Sequence, residues 1–400
     1  EAYGYASCRK NSCEFRFFYK MFCFFCWKVF DVPVFLPRRR ATTRTQSHLR
    51  PAGPLSGPSA APAIVQLPIH CSGVGETMAE LVAAVPSLLA ADQADQHYAD
   101  AVQTAVAACA EDTEGQTCFI CMDGAAEEGL VRGCACRGAA GVAHVSCLAR
   151  QAQVAVERDD GGPGFARWHT CGLCEQRYHG VVQCALGWAC WRTYVGRLEA
   201  DWPRRLAINV LGNGLSEAGH DDDALSVGEA ELAMMRRLGA PEASILVVQS
   251  NLANTYSSLG RFEEALSMER GVYFGRLRLH GEEHEYTLRS ASNYASSFIS
   301  LERFEEAKSL LRKTIPVARR VLGESHEQTL KTRTLFAMTL YEDPDATLDD
   351  LREAVATLED TERTARRVLG GAHPLTSTIE GYLREARAAL RARETPPGSA

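Results

Sequence analysis

The sequence predicts a multidomain protein: a small α+β module stapled by cysteines, then an all-α solenoid of helical hairpins, with a disordered N-terminal leader in front. Three observations predict it. Eight Cys and His side chains crowd the stretch from Cys118 to Cys174. A motif returns at a 42-residue period in the C-terminal half. Residues 38–75 are dense in Arg, Thr, Pro, Gly, Ser and Ala, a composition with too little apolar surface for a core. At 400 residues and 46% hydrophobic content there is ample material for two or three domains.

Residues 1–75 are expected to be a disordered or misannotated leader, with Met78 an alternative start. Residues 15–36 are Phe-rich, but Arg16, Lys20, Lys28 and Asp31 interrupt them, and a membrane span needs about 20 largely apolar residues. An interfacial anchor flanked by Arg38, Arg39 and Arg40 is the alternative. Residues 1–50 hold ten Lys/Arg against three Asp/Glu, leaving the rest of the chain with 33 basic and 47 acidic residues. So acidic a body argues against a nucleic-acid footprint, which needs clustered Lys/Arg. Residues 76–112, rich in Ala, Leu and Val and broken at Pro86, predict a helical segment in two pieces.

The third element, residues 113–180, carries Cys118, Cys121, Cys134, Cys136, His144, Cys147, Cys171 and Cys174. The gaps between them are two, twelve, one, seven, two, twenty-three and two residues. Close pairs alternate with longer gaps, as needed when each pair supplies half of a tetrahedral site, so the spacing predicts two metal ions rather than a disulfide framework. Cys8, Cys13, Cys23 and Cys26 lack the supporting His and turn residues for a third site, and Cys71, Cys109, Cys184 and Cys190 read as buried or free thiols. Residues 181–205 follow as a helical bridge, with Trp188, Trp191 and Tyr194 on one face.

Residues 206–393 are repetitive. Gly281-Glu282-Glu283-His284 returns as Gly323-Glu324-Ser325-His326 after 42 residues and as Gly370-Gly371-Ala372-His373 after 47, with a degenerate earlier copy at Gly239. Leu259-Gly260-Arg261-Phe262-Glu263-Glu264-Ala265 returns as Leu301-Glu302-Arg303-Phe304-Glu305-Glu306-Ala307, and Leu211–Gly219 echoes Leu252–Gly260, which starts another unit near residue 206. Extra residues near Asp343-Pro344-Asp345 predict a loop, giving about three and a half units. A helical hairpin alone cannot bury its apolar face, so these units must stack into a curved solenoid with a concave groove. Residues 394–400 read as a disordered tail. His284-Glu285 and His326-Glu327 open like a zinc-protease motif, but Leu288 and Leu330 stand where its second His belongs.

The single residue between Cys134 and Cys136, the seven before His144, and His at the fifth ligand position resemble the RING-CH (RINGv) finger more than the PHD finger. In a PHD finger a Trp stands two residues before the seventh ligand, whereas Trp168 stands three before Cys171. The resemblance implies cross-braced coordination by two structural zinc ions. Cys118, Cys121, His144 and Cys147 would hold one, and Cys134, Cys136, Cys171 and Cys174 the other. It also implies a ubiquitin-protein ligase that binds a ubiquitin-conjugating enzyme without a covalent step of its own, with Ile120 as an apolar contact. Three positions depart from the pattern: Gln151 where many members have Trp, Gly172 where RING fingers often have Pro, and Glu175 where active modules often present Arg or Lys, with Arg177 as a substitute cation. Membrane-bound members continue into transmembrane helices, for which Val181–Trp191 is too short.

The 42-residue unit with its Gly-Glu-x-His loop resembles the tetratricopeptide repeats of kinesin light chains. It implies a client protein or peptide in the groove, with Asn251 and Asn293 hydrogen-bonding its backbone. Packing between helices is the alternative for both. The combined expectation is a ligase whose repeats choose the client, against a non-enzymatic scaffold or adaptor. Neither nucleic acid nor membrane is an expected partner, and the cytoplasm is the expected compartment, with the nucleus second.

Overall fold

The computed structural model describes residues 88–394 except 126, 159–162 and 372. The expectations for the leader, for its cysteines, for the helical piece before Pro86 and for the last six residues lie outside that range. Helix α1 (Ala91–Thr113) leads into the cysteine module, in which α2 (Val145–Arg158) and a 3₁₀ turn (Pro163–Trp168) are the helical parts. Its extended part is two isolated antiparallel bridges, Val131 with Ala143 and Thr170 with Arg177, and no longer ladder forms among the described residues. Loops this irregular hold their shape only if something other than a backbone ladder ties them together.

Helix α3 (Gly180–Tyr194) occupies the middle of the N-terminal half. Eleven of its 15 residues are buried, on every side. Val182, Ala185 and Leu186 join Val102, Ala105 and Cys109 of α1 and Leu130, Val131 and Val142 of the module in one core. Cys184, Trp188 and Trp191 face the other way, into a core shared with Ala149, Ala152, Phe165 and Trp168 of the module and with Ala207, Ile208, Leu211 and Leu215 of the first repeat helix. The aromatic face expected across Trp188, Trp191 and Tyr194 is present, and it is one side of a helix enclosed all round.

Nine helices follow among the described residues: α4 (Trp202–Glu217), α5 (Asp221–Arg237), α6 (Glu242–Ser258), α7 (Phe262–His280), α8 (Glu285–Ser300), α9 (Phe304–Leu322), α10 (Glu327–Tyr341), α11 (Leu348–Leu369) and α12 (Pro374–Glu394). They make four hairpins and a last single helix. The first hairpin, α4 and α5, is complete although its sequence is the most degenerate.

The repeated motifs are the joints of this array. Gly281, Gly323 and Gly370 end their helices at φ of 82°, 92° and 89°, a region that costs a residue with a Cβ. Three residues later His284, His326 and His373 each turn Nδ1 onto a backbone N–H two residues ahead, at 3.2 Å, and so satisfy one free donor of the next helix. In the second motif, Arg261 and Arg303 bond Glu264 and Glu306 in the first turn of the following helix, while their guanidinium carbons lie 4.5 Å from the Tyr256 ring and 4.8 Å from the Phe298 ring. The inserted Asp343–Asp345 loop is pinned from both sides. Lys308 donates to Asp343 at 2.8 Å, and Arg393 donates to the Pro344 carbonyl at 3.0 Å.

Two glycines of α4 differ in what surrounds them, and Gly214 reports how closely the helix meets α3. A Cβ on Gly214 would lie 2.8 Å from the Gln183 carbonyl oxygen and 3.1 Å from Cys184 Cα, both backbone atoms that cannot step aside. A Cβ on Gly212 would meet only Val227 Cγ1 at 3.4 Å, an ordinary contact. Gly214→Ala is therefore expected to destabilise by about 1–3 kcal/mol through overpacking. Gly212→Ala, in the same helix, is expected to stabilise by about 0.5–1 kcal/mol through lower chain entropy in the unfolded state. Urea unfolding of the two variants side by side checks the opposite signs.

Candidate functional site

The eight predicted ligands fall into two groups of four. Cys118, Cys121, His144 and Cys147 bring one ligand atom each within 4.8 Å of one another, and Cys134, Cys136, Cys171 and Cys174 do the same. The groups interleave along the chain, so each closes a loop that contains half of the other.

The first group is built from a tight turn and a helix start. The Cys118 amide donates to the Asp123 carbonyl at 2.8 Å and the Met122 amide returns to the Cys118 carbonyl at 2.9 Å, which folds Cys118–Asp123 into a knuckle. His144 and Cys147 come from the start of α2, anchored by Glu128, whose carboxylate accepts the Ser146 amide at 2.9 Å. The Gly124 carbonyl accepts from His144 Nε2 at 3.0 Å. That bond leaves Nδ1 bare, and it faces the Cys121 and Cys147 sulfurs at 3.4 and 3.7 Å.

The second group repeats the knuckle. The Cys171 amide donates to the Gln176 carbonyl at 2.9 Å and the Glu175 amide returns to the Cys171 carbonyl at 3.1 Å. The Cys136 and Cys171 sulfurs are 3.8 Å apart. Bonds of about 2.3 Å from a tetrahedral ion to sulfur place two sulfurs about 3.8 Å apart, and a sulfur and a nitrogen about 3.5 Å apart. Both groups fit that requirement, and their soft N/S ligand set is compatible with zinc.

Electrostatics point the same way. Burial opposes ionisation of Cys118, yet the backbone amides of Cys121, His144 and Ile120 bring it down to about 6. Burial likewise opposes Cys171, and the amides of Cys174 and Leu173 bring it down to about 7. Cys134 and Cys147 move the other way, raised by burial and then by their crowded neighbours. In each group one thiolate forms readily while burial holds another back, so a full set of thiolates needs a cation in its midst.

The two knuckles match in sequence offset and in backbone hydrogen bonding. Ile120 and Leu173 each precede the second Cys of a pair and are 36% and 53% exposed, which leaves apolar side chains in solvent beside both metal-ligand groups. Met122 and Glu175 each follow that Cys with positive φ, at 69° and 57°, and Met122 is 72% exposed. Sequence reasoning singled out Ile120 and missed Leu173 and Met122. The matching offset from Cys121 and Cys174 was the available signal. Gln151, on α2, lies against Gly172, where an added Cβ would meet Gln151 Oε1 at 3.8 Å and the Arg167 guanidinium at 3.7 Å. Arg177 is half-buried and lines a cavity between the module and α4, beside Gln183 and Asn209.

In the repeats, Asn293 donates to Ser250 Oγ at 3.3 Å and to Glu269 Oε1 at 3.4 Å, tying α8 to α6 and α7. Its amide serves contacts between helices. Asn251 Nδ2 is buried without a partner among the described residues. Glu269, missed in the sequence, is the hub, for Ser250 Oγ also donates to it at 3.0 Å. Burial pushes its carboxyl up to about 8, against the hydrogen bonds from Ser250 and Asn293 and the nearby Arg276. No helix among the described residues is long and apolar enough to cross a membrane.

Residues 118–174 match the model of the RING-variant domain, and residues 245–286 and 287–328 each match a tetratricopeptide repeat. The cysteine module is thus a RING-variant domain, and the hairpins within residues 245–328 are tetratricopeptide repeats. Among solved structures the chain is similar to a Podosopora anserina protein of kinesin-light-chain type with nearly identical TPR-like repeats. They share 19% identity over 56% of this chain and 97% of that one, with a TM-score of 0.38. It is similar also to BtubC (BKLC) from P. vanneervenii, at 16% identity over 64% and 94% of the two chains and a TM-score of 0.36. The apo form of RapI is similar at 12% identity over 62% and 84%, with a TM-score of 0.38. No curated protein sequence matches the chain.

Two outcomes follow. A Cβ on Gly141, which has φ of 81°, would lie 2.6 Å from Cys136 Cβ and 3.0 Å from the Cys134 sulfur. Gly141→Ala is expected to weaken cobalt(II) binding at the second group by roughly tenfold or more and spare the first, the scale of losing a supporting contact around a metal, read from the thiolate-to-cobalt absorption in a titration. For Glu269, the unfolded chain titrates near 4.3 and the folded one near 8. The folded state holds the extra proton between those values, so stability is full below about 4.3 and falls as pH rises toward 8. Glu269→Gln should flatten that part of the melting temperature profile, measured from about pH 4 to 8.

Proposed function

We propose that the protein is a zinc-dependent ubiquitin-protein ligase in which the RING-variant domain docks a charged ubiquitin-conjugating enzyme and the repeats hold a client protein. The observation that carries this reading is the pair of matching knuckles, which set Ile120, Met122 and Leu173 in solvent beside two interleaved ligand groups. Apolar side chains of that size stay exposed at an interaction surface more readily than elsewhere.

Each zinc would take all four ligands from the protein: Cys118, Cys121, His144 and Cys147 at one, Cys134, Cys136, Cys171 and Cys174 at the other. Sites so closed are structural, and their chemistry is to hold the knuckles in place. The reaction belongs to the docked enzyme. A client lysine amine attacks the ubiquitin thioester carbonyl, an amide forms, the C–S bond breaks and the enzyme's thiol is released. What this chain contributes is position, because holding both reactants on one scaffold raises the amine's effective concentration at the thioester.

Glu175 favours a second reading, a scaffold that joins two partners without transfer, because a carboxylate stands exposed at the position where a cation would meet ubiquitin. The two readings diverge in an autoubiquitination assay. Zinc-replete protein with a broad panel of conjugating enzymes is expected to form conjugates. Ile120→Ala and Leu173→Ala should each cut the rate by roughly tenfold or more, as expected for anchors of a docking face, with zinc content unchanged. Absence of product across the whole panel leaves the scaffold.

A further inference from the structure

A cavity of about 180 Å³ lies where α1, α3 and the corner between α4 and α5 meet, with no knuckle residue in its lining. At about 30 Å³ per water-sized group it has room for roughly six such groups. Its floor is apolar, made by Val181, Cys184, Trp188 and Leu215. Its rim carries Asp100 from α1 and Asp223 from the first turn of α5, and none of its lining residues is Lys or Arg.

The walls of the cavity are held by contacts of their own. The His97 ring stacks on Trp188, 4.5 Å between centroids and 17° from parallel, so the aromatic wall stands firm. Cys184 is 4% exposed, and burial, then the Asp223 carboxylate, push its thiol up to about 12, so the Asp223 charge acts on a residue of the cavity floor. Asp100 takes a hydrogen bond from the neutral amide of Gln96 at 2.9 Å. The nearby Arg192 is already committed, lying 3.8 Å over the Tyr98 ring and pairing with Asp95, so the groups beside the two carboxylates that could carry charge are the lining histidines His97 and His220.

An apolar floor beside two carboxylates suits a short hydrocarbon stem ending in a positive charge. We propose that the cavity binds an alkylammonium group on a stem of about four or five carbons, the length its volume allows, in contact with Trp188 and Leu215 and paired with Asp100 and Asp223. Two sources carry that chemistry, a free alkylamine and a lysine side chain of a partner. This site is independent of whether the RING-variant domain transfers ubiquitin.

Calorimetric titration of the full-length, zinc-loaded protein tests it. The probes are n-pentylamine and the blocked peptide acetyl-Gly-Lys-Gly-amide, each against its uncharged counterpart, n-pentanol and the norleucine peptide. Saturable binding of either charged probe, with Kd on the order of 1 mM for so small a ligand, is the expected result. Binding of the amine alone assigns a free amine, and binding of the peptide assigns a lysine side chain. Asp100→Asn and Asp223→Asn should each raise Kd about tenfold, the loss of one charge-assisted contact. Asp222→Asn, which removes the same charge from the same helix turn but lines no part of the cavity, should leave Kd unchanged. No saturable binding, equal binding of the uncharged counterparts, or an equal effect of Asp222→Asn and Asp223→Asn overturns the proposal.

Discussion

The contact on which this molecule turns is the close approach of α3 and α4. Backbone meets backbone at Gly214 and again at Gly187, where an added Cβ would lie 3.2 Å from both Leu211 Cα and the Val210 carbonyl oxygen. With the two helices so near, Trp188, Trp191, Leu211 and Leu215 fall into one apolar mass. The opposite side of α3 supplies the core of the cysteine module. A domain with two isolated bridges and a handful of ligands has little core of its own, and here it borrows one. The metal-ligand groups fix the loops locally, while α3 fixes those loops to everything else.

Much of the architecture could be read from the residues, for reasons that differ from element to element. The ligands declare themselves because tetrahedral coordination tolerates few spacings, and the structure gathers the eight side chains into the two interleaved groups that the family resemblance implied. The Gly-x-x-His loop is legible because two backbone needs, a left-handed residue and a helix cap, recur at a fixed distance. The enclosure of α3 was not legible, since a helix apolar on every side has no periodic stripe to betray which face meets what. The first hairpin was half-visible because its Gly239 joint lacks the following His, and Pro241 stands at the cap of α6 instead.

Polar side chains mark where the array departs from simple stacking. Asn293, Ser250 and Glu269 form a buried hydrogen-bonded set between consecutive hairpins. Asn213 donates to Asn209 at 3.1 Å, and Asn209 donates to buried Glu231 at 3.3 Å, within the first hairpin. Gln183, on α3, has both amide atoms buried without a partner among the described residues, beside the cavity that Arg177 lines. The paired groups fix the register between neighbouring helices, because a slip of one residue would leave each of them unsatisfied in an apolar setting. They also explain why Asn at the inner-helix position does not by itself signal a ligand contact.

The shared helix has a consequence for how this protein can be cut, spliced or inherited. Ordinary multidomain chains part at a linker, and each piece keeps its interior. Here a break anywhere between α1 and α5 opens an apolar interior to water, so the smallest autonomous N-terminal piece carries the cysteine module and the first hairpin together. Later hairpins meet that block through one face of α5, where Leu225 and Leu232 pack against Val248 and Leu252 of α6, so the repeat end can diversify as long as that seam is kept, and the cysteine end stays indivisible.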